Sequence, residues 1–122
     1  MTPMTRAQLG ALGEQLAVEY LQRLGLVVLE RNWRCRYGEL DVIAADLAAR
    51  TVVFVEVKTR SSEQFGGVAQ AVTEQKLRRL RRLAALWLSG QDGSWATIRV
   101  DVIGVRVGRQ RNPELTHLMA VG

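Results

Sequence analysis

The fold of this chain is decided by residues 38–60, which read GELDVIAADLAARTVVFVEVKTR. Two apolar runs in this stretch, 40–45 and 51–57, have the length and composition of β-strands. The second run is almost continuously β-branched or aromatic, which is typical of a central strand covered on both faces. Because the segment 46–50 is short, we expect it to connect the two runs as an antiparallel hairpin.

The register of this hairpin gathers charged side chains. With the loop centred on residues 48–49, Asp41 lies opposite Glu56, and Glu39 lies opposite Lys58. Because side chains alternate with period two along a strand, all four are predicted to point to one face of the sheet. Their apolar neighbours are predicted to point to the other face, into the core: Leu40, Val42, Val55 and Val57.

Paired carboxylates at this position predict a divalent metal site. Two opposed carboxylates repel each other, and their partial burial is costly unless a cation compensates. Mg²⁺, or Mn²⁺ in its place, prefers hard oxygen ligands, which Asp41, Glu56 and the backbone carbonyl of Val57 would supply. A bound metal lowers the pKa of its water and neutralises charge on a phosphorus centre. Lys58 would orient or deprotonate that water, or stabilise the transition state electrostatically.

The alternative to a metal site is a structural salt-bridge patch on a solvated face of the sheet. Glu56 argues against it, because a strand interior that is otherwise apolar seldom holds an unpaired carboxylate. Glu14 is a further candidate ligand, since it falls at the edge of the apolar stripe of the first helix. A carboxylate there would bind metal directly or through water, and the alternative is a surface glutamate.

The rest of the chain predicts one α/β domain over residues 1–122, with both helices packed on the sheet. The order is helix, three strands, helix and strand, with a last piece that is either a closing strand or a packed tail. The predicted elements are a helix at 6–24, strands at 26–29, 40–45 and 51–57, a helix at 73–89, a strand at 96–105 and the last piece at 115–121.

Composition favours a polyanionic partner. The chain carries 17 Lys and Arg against 12 Asp and Glu, for a formal net charge of +5. A generally arginine-rich composition is the alternative explanation for the positive net charge.

No apolar run approaches the roughly 20 residues of a membrane span, so no membrane association is expected. With one cysteine, Cys35, and no features of a secretory signal at the start, the chain is expected in the cytoplasm.

The second predicted helix carries a dense run of positive charge, since five of the seven residues at 76–82 are basic. Four arginines fall on its exposed arc and are predicted to follow a phosphate backbone: Arg78, Arg79, Arg81 and Arg82. Lys76 lies instead toward the apolar arc and is predicted to point toward the sheet and the metal site. The alternative for the arginines is a solvated helix face.

Other positions outside this helix are candidate nucleic-acid contacts. Arg31 and Arg34 flank Trp33, and this interleaving of basic and aromatic side chains suits nucleic-acid binding, with packing as the alternative for the tryptophan. Arg60 and the loop containing residues 65–67 follow the predicted metal-binding strand, and we expect substrate to enter there.

Three further residues receive no role in binding or catalysis. Cys35 and His117 have no partners at metal-ligand spacing. Asp101 is predicted to be a buried, hydrogen-bonded structural residue.

Several short motifs occur along the chain in a characteristic order. They are Gly13-Glu14, Arg31-Asn32, Gly38-Glu39-Leu40-Asp41, Glu56-Val57-Lys58, Thr59-Arg60, Phe65-Gly66 and Lys76, between about Gly10 and Val105. In this set of motifs the chain resembles the YraN-type uncharacterised protein family. That family is similar in fold to the PD-(D/E)XK nuclease superfamily and to archaeal Holliday junction resolvases.

The resemblance implies a restriction-endonuclease-like core, with a mixed central sheet flanked by helices. It maps the metal-binding aspartate of the superfamily onto Asp41, the second acidic residue onto Glu56 and the lysine onto Lys58. The helix-borne glutamate of the resolvases maps onto Glu14. The superfamily motif is named after a proline that precedes the aspartate. In this chain Leu40 precedes Asp41, and many members of the superfamily also lack the proline.

Together these features predict a Mg²⁺-dependent endonuclease that cleaves phosphodiester bonds in DNA rather than RNA, with branched or structured DNA among its candidate substrates. A non-catalytic nucleic-acid-binding module with the same fold is the first alternative. A protein-interaction domain with an incidental charge patch is the second. A homodimer would suit the resolvase subclass, because junctions are two-fold symmetric.

Overall fold

A computed structural model describes residues 3–61, 72–108 and 112–121 of the chain. The predicted entrance loop at 65–67 lies outside these described residues. The elements are α1 (Arg6–Arg23), β1 (Val27–Cys35), β2 (Gly38–Asp46), β3 (Thr51–Ser61), α2 (Glu74–Ser89), β4 (Thr97–Val107) and β5 (Glu114–Leu118).

The five strands form one mixed sheet in the order β1-β2-β3-β4-β5. Strands β1, β2 and β3 pair antiparallel, β3 and β4 pair parallel, and β5 returns antiparallel to β4. The helix α2 makes the crossover that a parallel pair requires. The predicted α/β class and element order are therefore confirmed, and the last piece of the chain contains a closing strand.

The β2–β3 hairpin has the predicted register. Val42 pairs with Val55, Ile43 with Phe54, and Asp46 with Thr51, which centres the loop on residues 48–49. The described pairing ends at Val42 and Val55. The next position along the hairpin belongs to Asp41 and Glu56, so these two residues lie where the strands cease to pair.

Strand β1 is longer than the sequence predicts, because it continues from Val27 through the polar stretch to Cys35. The predicted strand covers only residues 26–29 and ends before this polar stretch. β1 is an edge strand whose residues are mostly exposed, so polar side chains can be accommodated there without desolvation. A shift of register between Val28 and Glu30 accommodates one extra residue against β2.

Each face of the sheet has its own core. On the α1 face, the buried residues are Ala17, Val18, Leu21, Val42, Ala44, Val53, Val55, Ile103 and Val105. On the α2 face they are Leu40, Ile43, Val52, Phe54, Leu80, Leu83, Ala84, Trp87 and Val100. Strand β3 contributes to both cores, which explains its nearly continuous apolar sequence.

One prediction about the cores is wrong. Leu40 was expected to share the face of Val42, but it packs in the α2-face core while Val42 packs in the α1-face core. The alternation of β2 therefore breaks at Asp41. The break coincides with the end of the β2–β3 pairing, where the backbone of β2 no longer has to keep the pleat of its neighbour.

Both helices begin at a threonine whose side chain accepts a backbone hydrogen bond. Thr5 caps α1 and forms a reciprocal capping box with Gln8, and Thr73 caps α2 by accepting from the backbone of Lys76. Within the described ranges, neither helix combines the length and apolar character needed to cross a membrane.

Helix α1 approaches β3 most closely at Gly13. This residue is buried, and a β-carbon built on it would overlap the side chain of Thr59. Only glycine therefore allows the present distance between helix and strand. The close approach brings the following residue, Glu14, near the end of β3.

Replacing Gly13 with alanine is expected to lower the free energy of unfolding by about 1–3 kcal/mol, because the added methyl forces Thr59 or the helix to shift. Gly10→Ala is the matched control, since no atom of the described residues outside the helix backbone lies within 4 Å of the corresponding position. It should raise the free energy of unfolding by about 0.5–1 kcal/mol through helix propensity. Urea denaturation followed by circular dichroism measures both, and equal stability of Gly13→Ala and wild type would contradict the close packing.

Candidate functional site

Asp41 occupies the point at which β2 and β3 stop pairing. Its Oδ2 accepts a hydrogen bond of 2.8 Å from the backbone N–H of Val57. A side-chain oxygen thus satisfies a backbone donor of the neighbouring strand, a role that a strand carbonyl has in a regular ladder. The carboxylate consequently lies at the open end of the hairpin, against β3.

The environment of Asp41 disfavours its charge. Its pKa is raised to about 6, chiefly by burial and against the opposing effect of the hydrogen bond from Val57. The negative charges of Glu56, Glu14 and Glu39 contribute to this rise. The carboxylate therefore sits in a negative potential that its protein neighbours do not neutralise, which a bound cation would do.

A cavity of about 450 Å³ opens beside Asp41 on the α1 side of the sheet. It brings Asp41 together with Glu14 and Val57, as the sequence predicts for three of the proposed metal-binding residues. The predicted nucleic-acid contact Arg60 also lines it. The full lining consists of Arg6, Leu9, Gly10, Glu14, Asp41, Val57, Thr59 and Arg60.

Glu14 is held at this cavity by residues of β1. Its Oε1 accepts a hydrogen bond of 2.8 Å from the side-chain amide of Asn32 and lies 3.5 Å from the guanidinium of Arg31. Asn32 adopts a positive φ of 52°, a conformation that asparagine tolerates better than most residues. The carboxylate is therefore positioned rather than freely mobile, and Arg31 is paired with it.

Glu56 and Lys58 lie on the other side of the sheet, facing α2. Glu56 Oε1 is 3.1 Å from Arg79 Nη2 of that helix, and Lys58 contacts Lys76 there. The prediction that all the charged groups share one face is therefore wrong. Alternation holds along β3 but breaks in β2 at Asp41, so the two carboxylates diverge, although Glu56 still raises the pKa of Asp41.

Lys76 reaches the sheet as its place on the helix predicts. A hydrogen bond with the Lys58 side chain lowers the pKa of Lys76, and burial and repulsion from Lys58 lower it further. Two amines at hydrogen-bond distance share a contact that is favourable only when one of them is neutral. The lowered pKa means that Lys76 gives up its proton more readily than an ordinary lysine.

Two residues of the predicted β1 contact surface have other partners. Arg34 forms an exposed ion pair of 2.9 Å with Glu39, so Glu39 contacts β1 rather than Lys58. Trp33 packs against the α2-face core, which supports the packing alternative for this residue.

The oxygen donors around Asp41 suit a hard divalent cation. Within 3–61, 72–108 and 112–121, no three His, Cys, Asp or Glu side chains are arranged to hold a metal ion. Mg²⁺, however, typically uses one or two carboxylates and keeps several waters. Asp41 and Glu14 supply two carboxylates around one cavity, which Val57 also lines.

A second polar cluster lies away from this cavity, around Asp101. This fully buried carboxylate accepts two hydrogen bonds of 3.0 Å from the guanidinium of Arg99 and lies 2.7 Å from Nε2 of His117. The other ring nitrogen of His117 is 3.0 Å from the hydroxyl of Tyr20. The structural role predicted for Asp101 is confirmed, and the cluster ties α1, β4 and β5 together.

His117 has a partner that the sequence did not reveal, because the two residues meet only through the pairing of β4 and β5. The available signal was an aspartate within the apolar strand 96–105, which needs a buried donor nearby.

A protein-family model and several relatives match the sequence of this chain. The model of the uncharacterised protein family UPF0102 matches residues 13–105, a range that includes Glu14, Asp41, Glu56 and Lys58. A UPF0102 protein of Mycobacterium ulcerans (strain Agy99) is 71% identical over 122 residues and is matched over 100% of both chains. A UPF0102 protein of Mycolicibacterium smegmatis is 68% identical over 122 residues, which are 100% of this chain and 98% of the relative.

The raised pKa of Asp41 predicts a pH-dependent effect of Asp41→Asn on stability. The stabilising protonated form is fully present below the unfolded pKa of 3.8, and its contribution is lost as pH rises through about 6. Asparagine mimics the protonated form. Without added metal, the variant should be more stable than wild type at about pH 8, by on the order of 2 kcal/mol after allowance for solvent contact.

Below about pH 4 the stability difference between Asp41→Asn and wild type should disappear. Thermal denaturation across this pH range measures it. Asp92→Asn, at an exposed loop residue, is the control and should change stability little at any pH. A difference that stays constant from acid to neutral pH would contradict the raised pKa.

Proposed function

We propose that this chain, which belongs to the uncharacterised protein family UPF0102, is a divalent-metal-dependent nuclease that hydrolyses phosphodiester bonds in DNA. One observation carries the proposal: Asp41, Glu14 and Val57 line a single cavity at the open end of the β2–β3 hairpin. Solvated oxygen donors around an electrostatically uncompensated carboxylate are the chemistry that a hard cation requires.

The residues that would hold the cation are Asp41 and the carbonyl of Val57, with Glu14 as a direct ligand or one acting through water. When bound, Mg²⁺ or Mn²⁺ would polarise a phosphate oxygen and lower the pKa of a coordinated water. The hydrogen bond from Val57 N–H fixes the orientation of the Asp41 carboxylate before any ligand arrives. Such preorganisation reduces the cost of arranging ligands during the reaction.

Lys58 and Lys76 contact each other on the side of the sheet that faces α2, opposite the Asp41 cavity. In this proposal the two amines bind the phosphate backbone of the DNA rather than take a proton from the attacking water. Arg60, which lines the cavity, would bind the adjacent phosphate.

DNA is the substrate that the charge distribution favours. Helix α2 presents exposed arginines on the face away from its buried leucines, and the whole chain has a formal net charge of +5. A positively charged helix would hold a phosphate backbone and make binding strongly dependent on salt. We propose DNA rather than RNA as the substrate because the motifs of this chain resemble those of DNA-processing nucleases. The proposal includes branched DNA as a substrate and a homodimer as the oligomeric state.

A non-catalytic nucleic-acid-binding module is the second candidate function. The ion pair between Glu56 and Arg79 favours it, because this contact occupies the second carboxylate of the predicted metal site. In this alternative the basic helix binds nucleic acid and the Asp41 cavity has no cation.

Cleavage assays distinguish the two candidates. Purified protein should cut branched, single-stranded or duplex DNA when Mg²⁺ or Mn²⁺ is present, and should stop when the metal is chelated. Asp41→Asn should slow cleavage about a hundredfold or more, because it removes a ligand of the cation that stabilises the transition state. Gel electrophoresis of labelled DNA measures the rates.

Asp92→Asn, on an exposed loop away from the cavity, is the control and should cleave at the wild-type rate. Salt-sensitive binding of DNA with no metal-dependent cleavage would contradict the nuclease and support the binding module. Cleavage that survives Asp41→Asn would point to a contaminating enzyme.

A further inference from the structure

One face of α1 forms a wall of the Asp41 cavity. Three of its residues, Arg6, Gly10 and Glu14, line the cavity and follow one another at intervals of four residues. Residues at this spacing lie on one side of a helix, and the rise per residue separates Arg6 from Glu14 by roughly 12 Å along the axis. The wall therefore runs from a carboxylate that acts on Asp41, past a glycine, to a guanidinium group at the start of the helix.

Packing does not require glycine at position 10. Outside the helix backbone, no described atom would lie within 4 Å of a β-carbon on Gly10, whereas one on Gly13 would overlap Thr59. Glycine inside a helix is less favourable than alanine, because its backbone loses more conformational freedom on folding. Gly10 therefore lowers helix stability without a packing reason, and it leaves a gap in the cavity wall where a ligand can approach the backbone of α1.

The guanidinium of Arg6 has no ionic partner in the described part of the chain, where the side chain is exposed. Arg60, which lines the cavity from the end of β3, is exposed and unpaired in the same sense. The charges that raise the pKa of Asp41 are all those of carboxylates, so neither arginine neutralises the carboxylate end of the cavity. Two guanidinium groups thus remain available for a phosphate ligand.

The size of the cavity favours a single strand of nucleic acid. Its volume of about 450 Å³ lies within the range of roughly 300–1,000 Å³ that is usual for small-molecule pockets. Such a space admits an unpaired strand, whereas a duplex keeps its bases stacked and presents only its outer surface. Leu9, which is half-buried, adds an apolar surface on which a sugar or base can pack.

We propose that an unpaired DNA strand crosses the Asp41 cavity along α1, passes over Gly10, and places a further backbone phosphate on Arg6. The strand path is the wall formed by Glu14, Gly10 and Arg6. The inference rests on the proposed function, because it takes DNA as the ligand of this cavity. It adds a substrate class, the single-stranded segment, and a positioning residue, Arg6, that lies outside the range 13–105 matched by the family model.

The length of the strand path decides which phosphate Arg6 contacts. Phosphates of a stacked strand are spaced by about 3.4 Å along its axis. The roughly 12 Å between Glu14 and Arg6 exceeds this spacing, so Arg6 reaches a different phosphate from the one at the cation. Phosphate contacts fix the register of a strand without reading its sequence. Arg6 would therefore set which phosphodiester bond lies at the cation.

The salt dependence of DNA binding tests the contact with Arg6. Fluorescence anisotropy with Mn²⁺ measures affinity for a labelled single-stranded oligodeoxynucleotide and for a blunt duplex of equal length, while both are still intact on a gel. Arg6→Gln should weaken single-strand binding about fivefold. The slope of log affinity against log salt concentration should become shallower by about 0.7, the value for one phosphate contact on a single strand. Duplex affinity should not change, because a duplex does not enter the cavity.

Two further arginine variants control for charge. Arg23→Gln removes the same charge from the other end of α1, away from the cavity, and should leave the affinity and the salt slope at their wild-type values. Arg6→Lys keeps a positive charge at the strand path and should retain the wild-type salt slope.

A side chain at Gly10 tests the strand path without a change of charge. Gly10→Leu should fold, because an added β-carbon meets no described atom outside the helix backbone. It should weaken single-strand binding about tenfold, because the side chain occupies the path. Ala11→Leu, at the next position of α1, is exposed and does not line the cavity, so it should bind as wild type does. Isothermal titration calorimetry should give both variants the wild-type Mn²⁺ affinity.

The possible results separate the two proposals. If wild type binds Mn²⁺ but Arg6→Gln and Gly10→Leu bind the single strand as tightly as wild type, the strand path is wrong and the proposed cation site stands. If Arg6→Gln weakens duplex binding as much as single-strand binding, the assignment of an unpaired strand is wrong. Should Arg6→Gln fail to fold by circular dichroism, Gly10→Leu decides the path.

The Mn²⁺ titration of wild type gives the remaining results. If no Mn²⁺ binds but both variants weaken single-strand binding, the strand path stands and the nuclease is wrong. Absence of Mn²⁺ binding together with wild-type DNA binding by both variants overturns both proposals.

Discussion

The hydrogen bond from the backbone of Val57 to the carboxylate of Asp41 is the interaction on which the rest of the candidate site depends. It lies where the β2–β3 ladder ends, and it replaces a contact between two backbones with one between a backbone and a charged side chain. As a result the alternation of β2 breaks, Leu40 turns toward α2, and Asp41 faces the cavity that Glu14 also lines.

The position of Asp41, in contrast to this hydrogen bond, places a cost on the folded protein. Asp41 is held among other carboxylates and away from much of the solvent, so its charged form is disfavoured and its pKa is raised. Its neighbours are compensated, since Glu56 is paired with Arg79 on the opposite side of the sheet and Glu14 is paired with Arg31. A carboxyl group whose pKa is raised by burial and by neighbouring charges is a candidate functional residue.

Much of this fold followed from the sequence, and the reasons are local. The short connection at 46–50 set the register of the β2–β3 hairpin, and the continuous apolar run at 51–57 identified a strand covered on both faces. The polar extension of β1 escaped prediction, because an edge strand needs few apolar residues and its backbone partners lie in another segment.

The candidate site was only partly predictable, because its contacts join distant segments. Lys76 was expected to reach the sheet, and it does. The divergence of Asp41 and Glu56 was not foreseen, since period-two alternation assumes a regular strand and β2 is irregular at that residue. The contact between Arg79 and Glu56 depends on how α2 packs, which no local pattern reveals. The contact between His117 and Asp101 was also not foreseen, because it arises from the pairing of two strands.

The most direct test is an NMR titration of the Asp41 side-chain carboxyl carbon with and without saturating Mg²⁺. Without metal the apparent pKa should be about 6, as burial and neighbouring carboxylates require. With Mg²⁺ the apparent pKa should fall by at least about one unit, because a bound cation favours the ionised form. An Asp41 pKa that does not change when Mg²⁺ is added would contradict a cation site at this carboxylate.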